Sequence, residues 1–186
     1  MKKKLPKIYI FVDNYKNKSF EIFKPNVGII YRNYHASNRK KELLKVAKIC
    51  KKKRYKLFVS NDQKLATEVK ADGIYIPSFN KQKMFLNMEN KNLMLIGSAH
   101  NQKEIKEKIL QKCSAVFLSP LFNVKKSKKF LGIHKFNFLS NSNKIIIYPL
   151  GGITEKNINK VKILGVRGFG GISLFKKKTG PLGAGF

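Results

Sequence analysis

Ten of the 186 residues are acidic, and three of those are Asp. Asp13 and Asp62 sit just after short apolar runs, whereas Asp72 precedes one. A carboxylate at a strand end can hold Mg²⁺ through one or two oxygens, beside waters and a substrate diphosphate. An Asp in that place is equally a helix N-cap or a turn residue. Gly151 and Gly152 follow another apolar run, and Gly168, Gly170, Gly171 and Ser173 fall in the last one. Glycine N–H groups approach phosphate oxygens with no Cβ in the way, although tight turns use the same residues. The segment Gly97-Ser98-Ala99-His100-Asn101 offers a hydroxyl and an imidazole. His100 is either a proton shuttle or diphosphate contact, or the residue that orders its loop. Ser119-Pro120-Leu121-Phe122-Asn123 leads into Lys125, Lys126, Ser127 and Lys128. His35 and His134 carry no partner pattern.

Eight apolar runs must position these groups, at 8–12, 27–31, 57–60, 73–76, 93–97, 115–118, 145–150 and 168–174. They are continuous rather than alternating, as in parallel strands buried on both faces. The stretches between them are long enough for helices. Residues 39–53 place Leu43, Leu44, Ala47 and Cys50 on one face with Lys elsewhere. Residues 63–70, 81–90, 102–112 and 155–164 read the same way. Asn101, with Glu104 three residues on, and Thr154, with Asn157, are N-cap candidates. The first and sixth connections read as weak helices, and a full eighth helix is doubtful. Eight βα units predict a compact (β/α)₈ TIM barrel over residues 1–186, short against about 250 residues for the usual barrel. Asp13, Asp62 and the glycine clusters then lie on its catalytic face. The runner-up, a doubly wound sheet, calls for a Gly-rich turn after the first strand, where Asp13-Asn14-Tyr15 stands instead.

The formal charge is +30, and almost all of it is Lys; Arg occurs only at 32, 39, 54 and 167. Lys scattered along the whole chain fits AT-rich codon usage better than a nucleic-acid surface, which concentrates Arg for bidentate readout. The positive field draws small anionic, phosphorylated substrates in either case. Cys50 and Cys113 match no metal or redox spacing, so a reduced pair is expected. No apolar run approaches a membrane span, and the run after the N-terminal lysines is too short for a signal peptide. The expected location is the cytoplasm; the sequence leaves a homo-oligomer open.

Collinear motifs over nearly the whole chain resemble the thiamine phosphate synthase and TenI family. Residues 8–13 (IYIFVD) resemble its opening LYLITD, and Phe58-Val59-Ser60-Asn61-Asp62 its IIND segment. Ala71-Asp72-Gly73-Ile74-Tyr75-Ile76 resembles ADGVHL, and residues 96–101 (IGSAHN) resemble IGxSaHt. Ser119-Pro120-Leu121-Phe122 with Leu131-Gly132 resembles (G/S)PvF…LG. Leu150-Gly151-Gly152-Ile153 resembles aLGGI, and residues 168–173 (GFGGIS) resemble GvAviSa.

The resemblance implies a transferase that joins hydroxymethylpyrimidine diphosphate to thiazole phosphate, with release of pyrophosphate. It implies that Asn61 and Asp62 contact the Mg²⁺-diphosphate, Ser98 hydrogen-bonds it and Lys128 is a cationic contact. Gly152, Ile172 and Ser173 cradle the thiazole phosphate, with Gly151 and Gly171 beside them. Of the family's QLREK only Arg32 is kept. Asn80 stands where GQxD carries a second Mg²⁺-binding Asp, so a weakened metal site is expected. TenI-type thiazole tautomerases carry a His where Pro120 stands here, as it does in synthases. A tautomerase, or a non-catalytic binder of phosphorylated thiazole, is the alternative.

Overall fold

The structure is a computed structural model, and it describes residues 4–13, 25–82, 92–125, 127, 129–172 and 174. The strands are β1 (Ile8–Val12), β2 (Gly28–Tyr31), β3 (Lys56–Ser60), β4 (Gly73–Ile76), β5 (Met94–Ala99), β6 (Ala115–Leu118), β7 (Ile146–Pro149) and β8 (Phe169–Gly171). They form one parallel sheet in chain order, and β8 returns to pair with β1. The seam between β7 and β8 closes through a single bridge, Leu150 to Gly170. This is a nearly closed barrel, not the doubly wound alternative. The helices are α1 (Arg39–Lys53), α2 (Gln63–Glu68), α3 (Gln102–Leu110), α4 (Gly132–Asn141) and α5 (Ile158–Lys162).

Helix α1 has the bounds that its periodicity predicts, but its buried face is Leu43, Val46 and Cys50; Leu44, expected on that face, is exposed. Arg54 follows it in the left-handed region and closes its last turn. Asn101 caps α3, accepting a hydrogen bond from Glu104 N–H as expected. The capping of α5 differs from expectation. Asn157 is its N-cap, and Asn157 Oδ1 accepts from Thr154 N–H instead of Thr154 capping the helix. The sixth connection carries a ten-residue helix, α4, where the sequence reads weakly. It lacks a side-chain cap and leaves Phe138 exposed, so its periodicity is blurred; Phe136 and Leu139 seat it on the barrel. The predicted helix at 81–90 falls mostly outside the described residues, as does the end of the chain.

Two apolar layers follow from strand alternation. Outward residues such as Ile29, Val59, Ile74 and Val116 meet the helices, with Leu43, Ile105 and Phe136 from the helix side. Inward residues are largely aromatic: Tyr9, Phe11, Phe58, Tyr75, Phe117 and Tyr148. Tyr9 and Phe117 meet edge-to-face with centroids 4.9 Å apart, and Phe11 meets Tyr75 likewise at 5.4 Å. Rings of this size fit because inward positions on neighbouring strands are glycine. Gly28 pairs with Tyr9, and Gly73 pairs with Phe58. A Cβ on Gly28 would stand 2.6 Å from Tyr9 Cε1, and one on Gly73 would stand 2.8 Å from the Phe58 ring and collide with the Met94 carbonyl. Cys50 and Cys113 are buried free thiols, and burial pushes both up to about 12.

Gly73→Ala is therefore expected to cost about 1–3 kcal/mol of stability, because the backbone carbonyl it meets cannot move aside. Urea denaturation checks this, and an unchanged midpoint would contradict the packing described.

Candidate active site

A cleft of about 440 Å³ opens at the C-terminal ends of the strands. Asp13 follows β1 in it, and Arg32, Asn33, Tyr34 and His35 follow β2. Tyr75 lies in β4, with Pro77, Ser78 and Phe79 after it; Ser98 lies in β5, and His100, Ser119 and Leu150 directly follow β5, β6 and β7. Strands that run in parallel deliver all their C-terminal loops to one rim, so residues distant in sequence converge there.

His100 ties this rim together. Its Nδ1 lies 2.7 Å from the Ser119 carbonyl oxygen and its Nε2 lies 3.2 Å from Ser78 Oγ. A carbonyl only accepts, so Nδ1 carries the proton, and Nε2 accepts from Ser78 in the neutral ring. The His100 backbone N–H donates to Glu104 Oε2, which joins the cap of α3 to the same loop. His100 thus orders its loop while its ring lines the cleft. Ser98 is buried and hydrogen-bonds the Tyr75 hydroxyl, whose own burial pushes it up to about 12.

Arg32 donates to both oxygens of Asp13, at 2.6 and 3.1 Å, and its guanidinium lies 5.1 Å from the Phe11 ring centroid. Burial pulls this group toward its neutral form, but the hydrogen bonds and charge of Asp13 outweigh that and hold it firmly charged. The cation expected at the cleft is present, and a carboxylate already engages it.

The residues assigned to Mg²⁺ lie at the neighbouring corner, between β3 and β4. Asp62 is the N-cap of α2: its Oδ1 accepts from Leu65 N–H at 2.9 Å, and its Oδ2 from Arg39 Nη1 at 3.0 Å. Asn61 sits in the left-handed region, and its Oδ1 accepts from Asn80 Nδ2. Asn80 Oδ1 in turn accepts from Gln82 N–H at 2.8 Å. These oxygens therefore serve the fold, and the donor set as placed does not fit a divalent ion. No cluster of three or more His, Cys, Asp or Glu that could hold a metal occurs among the described residues.

The glycines divide by role. Gly151 and Gly152 have φ of +90° and +71° and form a tight turn after β7; a Cβ on Gly152 would stand 2.5 Å from the Phe122 carbonyl oxygen. The turn is further held by Asn157 Nδ2 donating to the Gly152 carbonyl. Gly171 lies within β8 opposite Ile10, and Ile172 follows it and packs on the barrel interior. Gly170, read as part of a phosphate cluster, instead sits beneath Phe117 and Leu150, where it makes room for the ring. Lys128 and Ser173 lie outside the described residues.

Sequence reasoning passed over Arg39, Ser78, Tyr34 and Lys108. Arg39 was signalled by its type: an Arg kept among so many Lys marks a planar, several-bond contact. Lys108 lies three residues after Ile105 on the buried face of α3, where an unexplained Lys is itself a signal.

Comparison with known proteins identifies the family. Residues 22–175 match the TMP-TENI family model, described as thiamine monophosphate synthase. The chain belongs to this family. A thiamine-phosphate synthase of Prochlorococcus marinus subsp. pastoris is 28% identical over 152 residues, 78% of this chain and 43% of that protein. The chain thus spans less than half the length of that relative. A thiamine-phosphate synthase of Hydrogenobaculum is 27% identical over 151 residues, 78% of this chain and 71% of that one. Thiamine phosphate pyrophosphorylase from Pyrococcus furiosus superposes with a TM-score of 0.76 at 19% identity, over 93% of this chain and 88% of that one, and so shares the fold. No helix among the described residues is long and apolar enough to cross a membrane.

If the Asp13–Arg32 pair faces an anionic ligand, Asp13→Asn removes one negative charge from the cleft and releases the guanidinium. Binding of inorganic phosphate, read by isothermal titration calorimetry, is then expected to tighten by about threefold or more at low salt. Unchanged affinity would separate Arg32 from the ligand.

Proposed function

We propose that this barrel is a thiamine phosphate synthase-type transferase, which joins hydroxymethylpyrimidine diphosphate to thiazole phosphate and releases pyrophosphate. The observation that supports the reading best is the rim of Arg32, Ser78, Ser98, His100 and Ser119 around one cleft, in a chain of this family. In the reaction the bond from the pyrimidine methylene carbon to the diphosphate oxygen breaks, and its electron pair leaves with the diphosphate. The lone pair of the thiazole nitrogen forms the new carbon–nitrogen bond.

The chain's part is to hold two anionic substrates together and to stabilise the departing charge. Arg32 supplies a fixed cation, and Ser98 and Ser78 supply hydroxyl donors. His100 lines the cleft beside them and is the proposed diphosphate contact. The Gly151–Gly152 turn and the start of the segment after β8, Gly171 and Ile172 with Ser173, form the proposed seat of the thiazole phosphate. Asn61 and Lys128 are assigned to the diphosphate by resemblance. The Mg²⁺ assigned in the same way to Asp62 and Asn80 does not fit those residues as placed, so no step is routed through it. The substrates are small phosphorylated molecules, and the proposed setting is the cytoplasm.

A second reading, a non-catalytic binder of phosphorylated thiazole or thiamine phosphate, is favoured by the occupied oxygens of Asp62 and Asn80. A tautomerase has less support, since Pro120 stands at the acid–base position.

Purified protein given both substrates is expected to form thiamine phosphate above a no-enzyme control, read as thiochrome fluorescence. Arg32→Gln is expected to lower the rate by roughly tenfold or more. No product from folded protein that still binds thiazole phosphate would establish the binder instead.

A further inference from the structure

At the corner between β3 and β4 two of the chain's own basic side chains hold the polar groups in place. Arg39 reaches from the start of α1 and binds two groups at once: Nη1 donates to Asp62 Oδ2 at 3.0 Å, and Nη2 donates to the Ser60 carbonyl at 2.7 Å. Tyr34 covers it, with the guanidinium carbon 5.7 Å from the ring centroid and the Tyr34 hydroxyl hydrogen-bonded to Ser60 Oγ. The fork and the stacked ring fix the guanidinium in place, so Asp62 has a permanent counter-charge.

The other half of the corner is held from behind. Lys108 is fully buried, and its ammonium donates to the carbonyl oxygens of Pro77 (2.9 Å) and Asn80 (2.7 Å) and to Gln111 Oε1 (2.9 Å). Gln111 Nε2 donates to the carbonyls of Asn80 and Gln82. A buried ammonium is costly unless each of its protons is accepted, and here three acceptors do so. Gly97 provides the groove for its stem, since a Cβ there would stand 2.7 Å from Lys108 Cδ. Glu104 and Glu107 lie near Lys108 on its own helix, and Glu107 is 4.0 Å from Lys81. The loop that bears Asn80 is therefore pinned, and Asn80 is itself buried with its amide shared between Asn61 and Gln82.

A divalent ion at this corner would meet one carboxylate, already matched by Arg39, and a neutral amide with a buried ammonium behind it. Hard cations take several oxygen ligands, preferably charged ones. The geometry points to a barrel that binds its phosphorylated ligand without a divalent metal, because Arg39 already matches the Asp62 carboxylate and Lys108 and Gln111 pin the loop that bears the neutral Asn80. The inference rests on the transferase reading only for the identity of that ligand.

The test is calorimetric titration of the full chain with pyrophosphate, in EDTA and in excess Mg²⁺. Affinities within about twofold of one another are expected for the unmodified protein, against tenfold or more for a site completed by the metal. The double variant Arg39→Gln/Asn80→Asp unlocks Asp62 and restores a second carboxylate, and it is expected to gain a Mg²⁺-dependent tightening of about tenfold. Tightening by Mg²⁺ in the unmodified protein overturns the inference, as does absence of pyrophosphate binding in both buffers. A double variant that is folded by circular dichroism yet indifferent to Mg²⁺ overturns the role given to Arg39 and Asn80; if it does not fold, the unmodified protein decides alone. Metal-independent binding without product in the thiochrome assay would sink the transferase reading and leave this one standing.

Discussion

Large aromatic rings fill the inside of this barrel, and a closed ring of eight strands admits them only where a neighbouring strand withholds its side chain. Tyr9 lies across Gly28, Phe58 across Gly73, and Phe117 against Gly170. The register that matches ring to glycine is the same register that pairs the strands, so interior packing and strand order specify one another. A slip by one residue would put Tyr9 and Phe58 against a Cβ and turn the outward aliphatic residues inward. Strand ends fixed in this way are what bring Asp13, Arg32, Ser98, His100 and Ser119 to a common rim.

Above that packed interior the loops are joined to one another rather than left to solvent. His100 links the β4 and β6 ends, Lys108 and Gln111 tie α3 to the loop after β4, and Arg39 ties α1 to the end of β3. Each tie uses a group that could otherwise act on a ligand, so the rim is ordered before anything binds. Ordering a site in advance lowers the entropy cost of binding a ligand. The excess of Lys elsewhere acts differently, as a diffuse positive field that concentrates anions near the mouth and weakens with salt.

Much of this was legible in the sequence because local signals and tertiary demands agree. The runs at 8–12, 73–76 and 115–118 are strands as read, and the amphipathic stretch at 39–53 is a helix with those bounds. Asn101 caps α3 because an Asn followed by Glu at the third position satisfies the free N–H groups of a first turn. What was not legible depends on partners distant in sequence. Asp62 fits a metal ligand and an N-cap equally well until Arg39, from another helix, takes its second oxygen. Gly170 reads as a phosphate glycine until Phe117 is seen above it, and nothing near Lys108 announces the carbonyls of Pro77 and Asn80. The helix α4 reads only weakly because Phe136 and Leu139 are held by the barrel and not by a sharp apolar stripe.

On the proposed reading, the cleft at the C-terminal strand ends takes the phosphorylated ligand. A crystal structure of the protein soaked with thiamine phosphate tests it most directly. Ligand density is expected in the cleft beside Arg32 and His100, with its phosphate against the Gly151–Gly152 turn. Density confined to the lysine-rich outer surface of the helices, with the cleft holding only water, would contradict it.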